Sequence, residues 1–184
     1  MKIVKIFWAI RALAYRAIFN RIGNLCYIGP PLYIENSKNT TLGSKVRIFP
    51  GLRLESHYSG KIIIEDDVAI GQNFHITSAE GIVEIASKTT ISGNVFITNI
   101  DHNYTDIDEH IMNQKFIIKD TFIGENCFIG YGVAIQAGTK LGRQCIVGAN
   151  SVVRGHFPDR CVIVGAPAKI IKLYNEETGN WERV

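Results

Sequence analysis

The sequence predicts an all-β protein: a parallel β-helix of stacked triangular coils, with a short N-terminal helix and a C-terminal extension. Three observations carry this expectation. Aliphatic residues recur every six positions, the interruptions of that series share one place in the repeat, and the first 21 residues follow a different, helical pattern. The series is unbroken through Ile123, Ile129, Ile135, Leu141, Val147 and Val153. Shorter runs precede it at Leu42, Ile48, Leu54, at Ile64, Ile70, Ile76 and at Ile85, Ile91, Ile97, with a weaker one at Ile22, Ile28, Ile34. The position four residues on is often small or apolar, as at Cys26, Val46, Val68, Phe74, Thr89, Val95, Cys127, Val133, Thr139, Cys145 and Ser151. A period of six fits neither an amphipathic helix nor a long alternating strand. It fits a short strand plus a corner, repeated, and three such hexads close one coil of about 18 residues. Coils stack about 4.8 Å apart. Corner residues Gly43, Gly71, Asn73, Gly93, Asn94, Gly124 and Asn126 are of types that accept positive φ.

Residues 1–21, MKIVKIFWAIRALAYRAIFNR, hold five basic residues and no acid. On a helical projection Ile3, Ile6, Phe7, Ile10, Leu13, Ala14 and Ala17 share one face, with Lys5 and Arg16 opposite. Lys5 and Arg11 interrupt the apolar stretch, which argues against a secretory signal. Two readings stand side by side: a cap over the open end of the prism, or an interfacial contact with anionic lipid.

Residues 22–171 form the repeat domain. Grouped in threes, the hexads are separated by excesses of two residues (Ile34 to Leu42), four (Leu54 to Ile64), three (Ile76 to Ile85) and twenty (Ile97 to Ile123). Every excess follows a third hexad, so the irregular segments are expected to leave the prism at one corner and build a wall of loops, where function tends to reside. The longest, residues 99–120, is polar and acid-rich, with His102 at its root and His110 farther out. Residues 172–184 form the tail, in which 175–184 are expected to pack poorly apart from Trp181.

Composition narrows the function classes. The 184 residues are 46% apolar and 20% charged with mean hydropathy +0.08, which is globular. No apolar run reaches the roughly 18 residues that span a bilayer. A net charge of +3 is too small to argue for nucleic acid. Four cysteines without a CxxC pair exclude a disulfide scaffold and structural zinc, and the expected setting is reducing and cytoplasmic. Cys127 and Cys145, 18 apart at inward positions, are expected to stack as buried thiols.

The repeats, the long loop with a histidine at its base and the closing run Val164-Gly-Ala-Pro-Ala-Lys-Ile-Ile171 resemble the left-handed β-helix acyltransferases. Within them the chain is most similar to the galactoside, maltose and lipopolysaccharide O-acetyltransferase group. The segment from Ile85 to His102 matches the spacing to that family's catalytic histidine. The resemblance implies His102 as general base, acetyl-CoA as donor, a saccharide hydroxyl as acceptor, no metal, and a homotrimer with sites between neighbours. It also implies Phe128 near the acetyl group, and Gly130, Tyr131 and Ala149 along pantetheine. Where the family has a Thr/Ser-Lys-Asp run this chain reads Val153-Arg-Gly-His-Phe157, so Arg154 or Lys169 becomes the candidate cation for the CoA phosphates.

Imidazole suits the base role because its pKa of about 6.5 lies near working pH. Glu84, 18 residues before His102, is expected one coil below it in the same column, able to orient the ring and stabilise its charged form; Asp101 competes for that task. His57, Asp101, Asn103 and Tyr104 are candidates for acceptor contact. His57 and His75 are 18 apart, but the four-residue excess between them breaks their alignment, and no third histidine completes the zinc triad of a γ-class carbonic anhydrase. Alternatives to sugar O-acetylation are N-acetylation of an amino-sugar nucleotide and a non-catalytic scaffold. A surface-polysaccharide substrate would place the protein in the cytoplasm, with a peripheral membrane contact through its basic N-terminal segment.

Overall fold

A computed structural model describes residues 3–184; Met1 and Lys2, counted above with the N-terminal helix, lie outside the described residues. The hexads close into the parallel β-helix that the repeat predicts, left-handed as the resemblance implies. Strands containing Ile22, Leu42, Ile64, Ile85, Ile123 and Leu141 pair in parallel on the first face. Those containing Ile28, Ile48, Ile70, Ile91, Ile129 and Val147 make the second, and those containing Ile34, Leu54, Ile76, Ile97, Ile135 and Val153 the third. Registers align the aliphatics in ladders, for instance Ile76, Ile97, Ile135 and Val153. Nearly all of them are fully buried, and each such side chain contributes roughly 1.5–3 kcal/mol of transfer free energy. The second inward column is buried as well, and three of its polar members bond to carbonyl oxygens: Thr89 to Gly124, Thr139 to Gln136 and Ser151 to Gly148.

The corner glycines serve a different purpose from the one expected. Asn73, Asn94 and Asn126 do take positive φ (55°, 57° and 56°), but at most first-to-second-face corners the left-handed position falls to Lys45, Asp67, Lys88 and Gln144. Gly43, Gly71, Gly93 and Gly124 are needed for closeness. A Cβ on Gly124 would lie 2.3 Å from the Gly142 carbonyl oxygen, and one on Gly43 would lie 2.6 Å from the Asp66 backbone nitrogen.

The four excesses all project at the corner between the third and first faces. Third-face strands Arg53–His57 and His75–Ala79 therefore run to five residues and overshoot the prism edge. The long insertion folds as an antiparallel ribbon, Ile100–His102 against Phe116–Ile118, with a single 3-10 turn at Ile111–Asn113. Its root is closed by buried Asn99, whose side chain both accepts from the Ala79 N–H (2.9 Å) and donates to its carbonyl (3.2 Å). Gln114, also buried, ties the tip together by donating to the carbonyls of Asp106 (2.9 Å) and Glu109 (3.0 Å). His110 accepts from the Met112 N–H and serves the turn.

Both ends depart from expectation. Helix α1 (Ile3–Tyr15) does cover the first coil, but with the face opposite to the apolar stripe. Trp8 and Ala12 are its buried residues. Trp8 packs edge-on to Phe49 (5.7 Å) and tilted on Tyr27 (6.0 Å), outward-facing rings of the second face. Lys5, opposite the stripe as the projection has it, lies over the same two rings and donates to the Tyr27 hydroxyl. At the other end, Ala168–Asn175 pairs antiparallel with Cys161–Gly165, and Asn180–Arg183 adds a further strand. Strand Ala168–Asn175 crosses the expected boundary at 171/172, so the tail is an ordered hairpin, held also by Tyr174 against Trp181 at 5.6 Å.

Candidate functional site

His102 stands at the end of the ribbon strand Ile100–His102, exposed, and pairs with Phe116 in the last rung of the ribbon. The Phe116 ring meets the imidazole edge-on at 5.1 Å and 85°, which restricts its tilt. Beneath it, Asp101 accepts from the His102 N–H at 3.1 Å with one oxygen and from Arg154 at 2.8 Å with the other. That ion pair is largely solvated and contributes little stability; its effect is to strap the loop root to the last full coil of the third face. Arg154, expected as a cation for CoA phosphate, is thereby engaged by Asp101. Asn103 accepts from the Thr105 N–H and hydroxyl, and Tyr104 is exposed.

Glu84 is not in a column with His102. It lies on the first face, where its ladder partners are Ile63 and Phe122. After Thr98 the chain reverses into the ribbon instead of rounding the corner, so eighteen residues of sequence no longer equal one coil. Burial, with Glu65 nearby, raises the Glu84 pKa.

On the outer side of the third face lies a polar cluster that the repeat pattern alone did not single out. Glu55 is buried and receives a bidentate contact from Arg53 (2.9 and 2.9 Å) and bonds from His75 Nε2 (2.7 Å) and the Thr77 hydroxyl (3.2 Å). Burial opposes its charge, but the bonds from Arg53 and His75 prevail and hold the carboxyl down at about 2. Ladder pairing sets Arg53 opposite His75 and His57 opposite Ala79, so His57 and His75 are indeed out of line. His57 instead lies 3.7 Å from Glu35. These two, with Asn36, Tyr58 and Phe116, line a cleft of about 400 Å³ that Phe116 connects to His102. Among the described residues Glu35, Glu55 and His57 bring possible metal-ligand atoms within 4.8 Å of one another. Arg53, His75 and Thr77 already occupy both Glu55 oxygens, which makes the trio a poor cation site. The signal for this cluster was the alternation Arg53, Glu55, His57 and His75, Thr77, which puts every one of them on an outer face.

The donor-side residues gather elsewhere. Gly130, Tyr131 and Ala149 stack at the corner between the second and third faces: a Cβ on Gly130 would meet the Ala149 nitrogen at 2.6 Å, and the Tyr131 carbonyl accepts from Asn150 at 2.8 Å. Asn94 also bonds the Tyr131 hydroxyl. Phe128 is outward and part-exposed on the second face, paired with Thr90 and Ile146. Lys169 is exposed on the closing hairpin opposite Val164. Within one chain, therefore, His102 and the small-residue corner lie at opposite edges of the third face.

Residues 120–155 match the bacterial transferase hexapeptide family (six repeats). The chain is 39% identical over 162 residues to WbbJ of Escherichia coli (strain K12), whose name assigns it to O-acetyl transfer in lipopolysaccharide biosynthesis; the match covers 83% of this chain and 81% of that one. It is 26% identical over 161 residues to the galactoside O-acetyltransferase of the same organism, covering 88% of this chain and 67% of that one. In fold it superimposes on AntD, an N-acyltransferase from Bacillus cereus in complex with dTDP and 3-hydroxybutyryl-CoA. The TM-score is 0.78 at 18% identity, over 91% of this chain and 90% of that one. With its hexad prism, its loop-borne histidine and a relative matched over four-fifths of its length, the chain belongs to the hexapeptide-repeat acyltransferases.

Proposed function

We propose that the protein moves an acetyl group from acetyl-CoA to a saccharide hydroxyl, in the assembly of lipopolysaccharide or another surface polysaccharide, with His102 as general base. The carrying observation is the placement of His102: exposed, braced by Phe116 and rooted through Asp101 and Arg154, beside a cleft lined with polar and aromatic groups. Carbohydrates suit such a lining, since ring faces stack on aromatics and hydroxyls exchange hydrogen bonds with carboxylate, amide and imidazole. As the acceptor oxygen attacks the thioester carbonyl, His102 takes its proton; the C–S bond then breaks, and the proton passes to the departing thiolate. Phe128, Gly130, Tyr131, Ala149 and Lys169 are the donor contacts of this reading.

Because donor-side residues and His102 occupy opposite edges of one face, the reading places each site between two copies of a homotrimer in the cytoplasm. The relative named for lipopolysaccharide O-acetyl transfer supports the acceptor class. The test is CoA-thiol release from acetyl-CoA against a panel of saccharide and amino-sugar acceptors. His102→Ala should lower turnover by at least about 10²-fold with the melting temperature little changed. Retention of most activity would remove His102 as base, and turnover confined to amine acceptors would replace O- by N-acetylation.

A further inference from the structure

Helix α1 turns its apolar stripe away from the protein it covers. Ile3, Phe7, Ile10 and Leu13 are 75%, 62%, 56% and 59% exposed, and Ile6 lies among them. The opposite side already holds the helix in place: Trp8 and Ala12 are buried, Arg11 donates to the Ile28 carbonyl, and Arg16 donates to Gly23 and Asn24. The stripe is not needed for docking to the prism.

A second observation extends it. At the corner between first and second faces, successive coils place Lys45, Asp67, Lys88, Asn126, Gln144 and Arg160 in the left-handed position. The first coil alone puts an aliphatic there: Leu25, at φ 59° and 79% exposed. Leu25 and Leu13 line the same apolar cleft of about 210 Å³ between α1 and the first coil. An aliphatic side chain in that backbone conformation, fully offered to solvent, continues the stripe from the helix onto the end of the prism.

Charge selects the occupant. The first 34 residues contain five of the 20 basic residues and none of the 17 acidic ones, so the positive excess of the whole chain resides at this end. Arg21 is exposed there, and Arg16 keeps exposure while it donates to Gly23 and Asn24. Two such stripes from symmetry-related copies would bring like charge against like charge. No helix among the described residues is long and apolar enough to cross a membrane, and α1, at 13 residues, is about 20 Å long.

We infer that α1 and Leu25 form an interfacial docking surface for an anionic lipid bilayer. Ile3, Ile6, Phe7, Ile10 and Leu13 enter the headgroup boundary, and the net positive charge of this end, Arg21 included, draws the anionic headgroups. The prism then hangs from the membrane by its N-terminal end, with the loop wall running away from the surface. This inference stands apart from the acetyl-transfer reading.

Flotation of the full chain with vesicles tests it, using equal phosphatidylglycerol and phosphatidylcholine on one side and phosphatidylcholine alone on the other. The wild type should float with the anionic vesicles, more so at low salt, and weakly or not at all with the neutral ones. Phe7→Ser with Ile10→Ser should weaken binding at least about tenfold. Leu25→Asn should also weaken it while keeping thermal stability, because Asn accepts the left-handed conformation. The inference is overturned if the wild type stays unbound at low salt, or if the variants float as well as the wild type. It is equally overturned if they dissociate the assembly in sedimentation velocity, which would make the stripe a contact between copies.

Discussion

Replacing Glu55 by Gln isolates one carboxyl in the third-face cluster. In the folded chain Arg53 and His75 hold that carboxyl at about 2, against 4.5 for a free glutamate. A depressed folded pKa stabilises above the unfolded value and loses that contribution as pH falls through the folded one, so the window is pH 4.5 to 2. The full linkage value of such a displacement is about 3 kcal/mol. Arg53 is half exposed, and solvent screening reduces the expected contribution to roughly 1–2 kcal/mol. Urea unfolding of wild type and Glu55→Gln should differ by that amount at pH 7, and the two curves should converge as pH approaches 2. Comparing the two proteins at each pH subtracts the groups they share, so the pH-dependent part of the difference follows the Glu55 carboxylate and its contacts with Arg53 and His75. A difference that stays constant from pH 7 to pH 2 would refute the claim that the Arg53 and His75 contacts stabilise the ionised form.

Ile129→Ala removes a fully buried rung of the second-face ladder and should cost about 2–5 kcal/mol, read as a lowered midpoint in the same unfolding assay. The four free cysteines are buried, and hydrogen bonding to Cys145 together with burial raises the Cys127 and Cys161 thiols; the native protein should leave them unmodified by a thiol reagent that labels all four after denaturation. If each site draws His102 from one copy and the small-residue corner from another, co-assembly of His102→Ala with Ala149→Arg should restore about a quarter of wild-type sites in a randomly mixed trimer. Two inactive parents that remain inactive when mixed would place the whole site within one chain.

The six-residue period was legible because it is a local property: each hexad carries its own inward aliphatic and its own corner, and the stack follows by repetition. Ile123 to Val153 therefore predicted core, faces and coil order without knowledge of any distant contact. The corner from which loops project, and the position of His102 at the root of the longest, were legible for the same reason, since insertions are counted against an otherwise regular series. Where the period stops, so does inference from spacing. Glu84 and His102 are eighteen apart, but the chain between Thr98 and His102 turns back on itself, and only the tertiary structure assigns Glu84 the company of Ile63 and Phe122. The Glu55 cluster needs two strands from adjacent coils, brought into register by an insertion whose shape the sequence does not specify. The orientation of α1 was decided in the same way. Its hydrophobic stripe marks the more apolar side, but the first two coils offer a shelf of aromatic rings, Tyr27 and Phe49, and the first coil a carbonyl at Ile28. Trp8, Lys5 and Arg11 match that surface better than the aliphatic stripe does, so complementarity to the partner surface, and not hydrophobicity alone, chose the buried face.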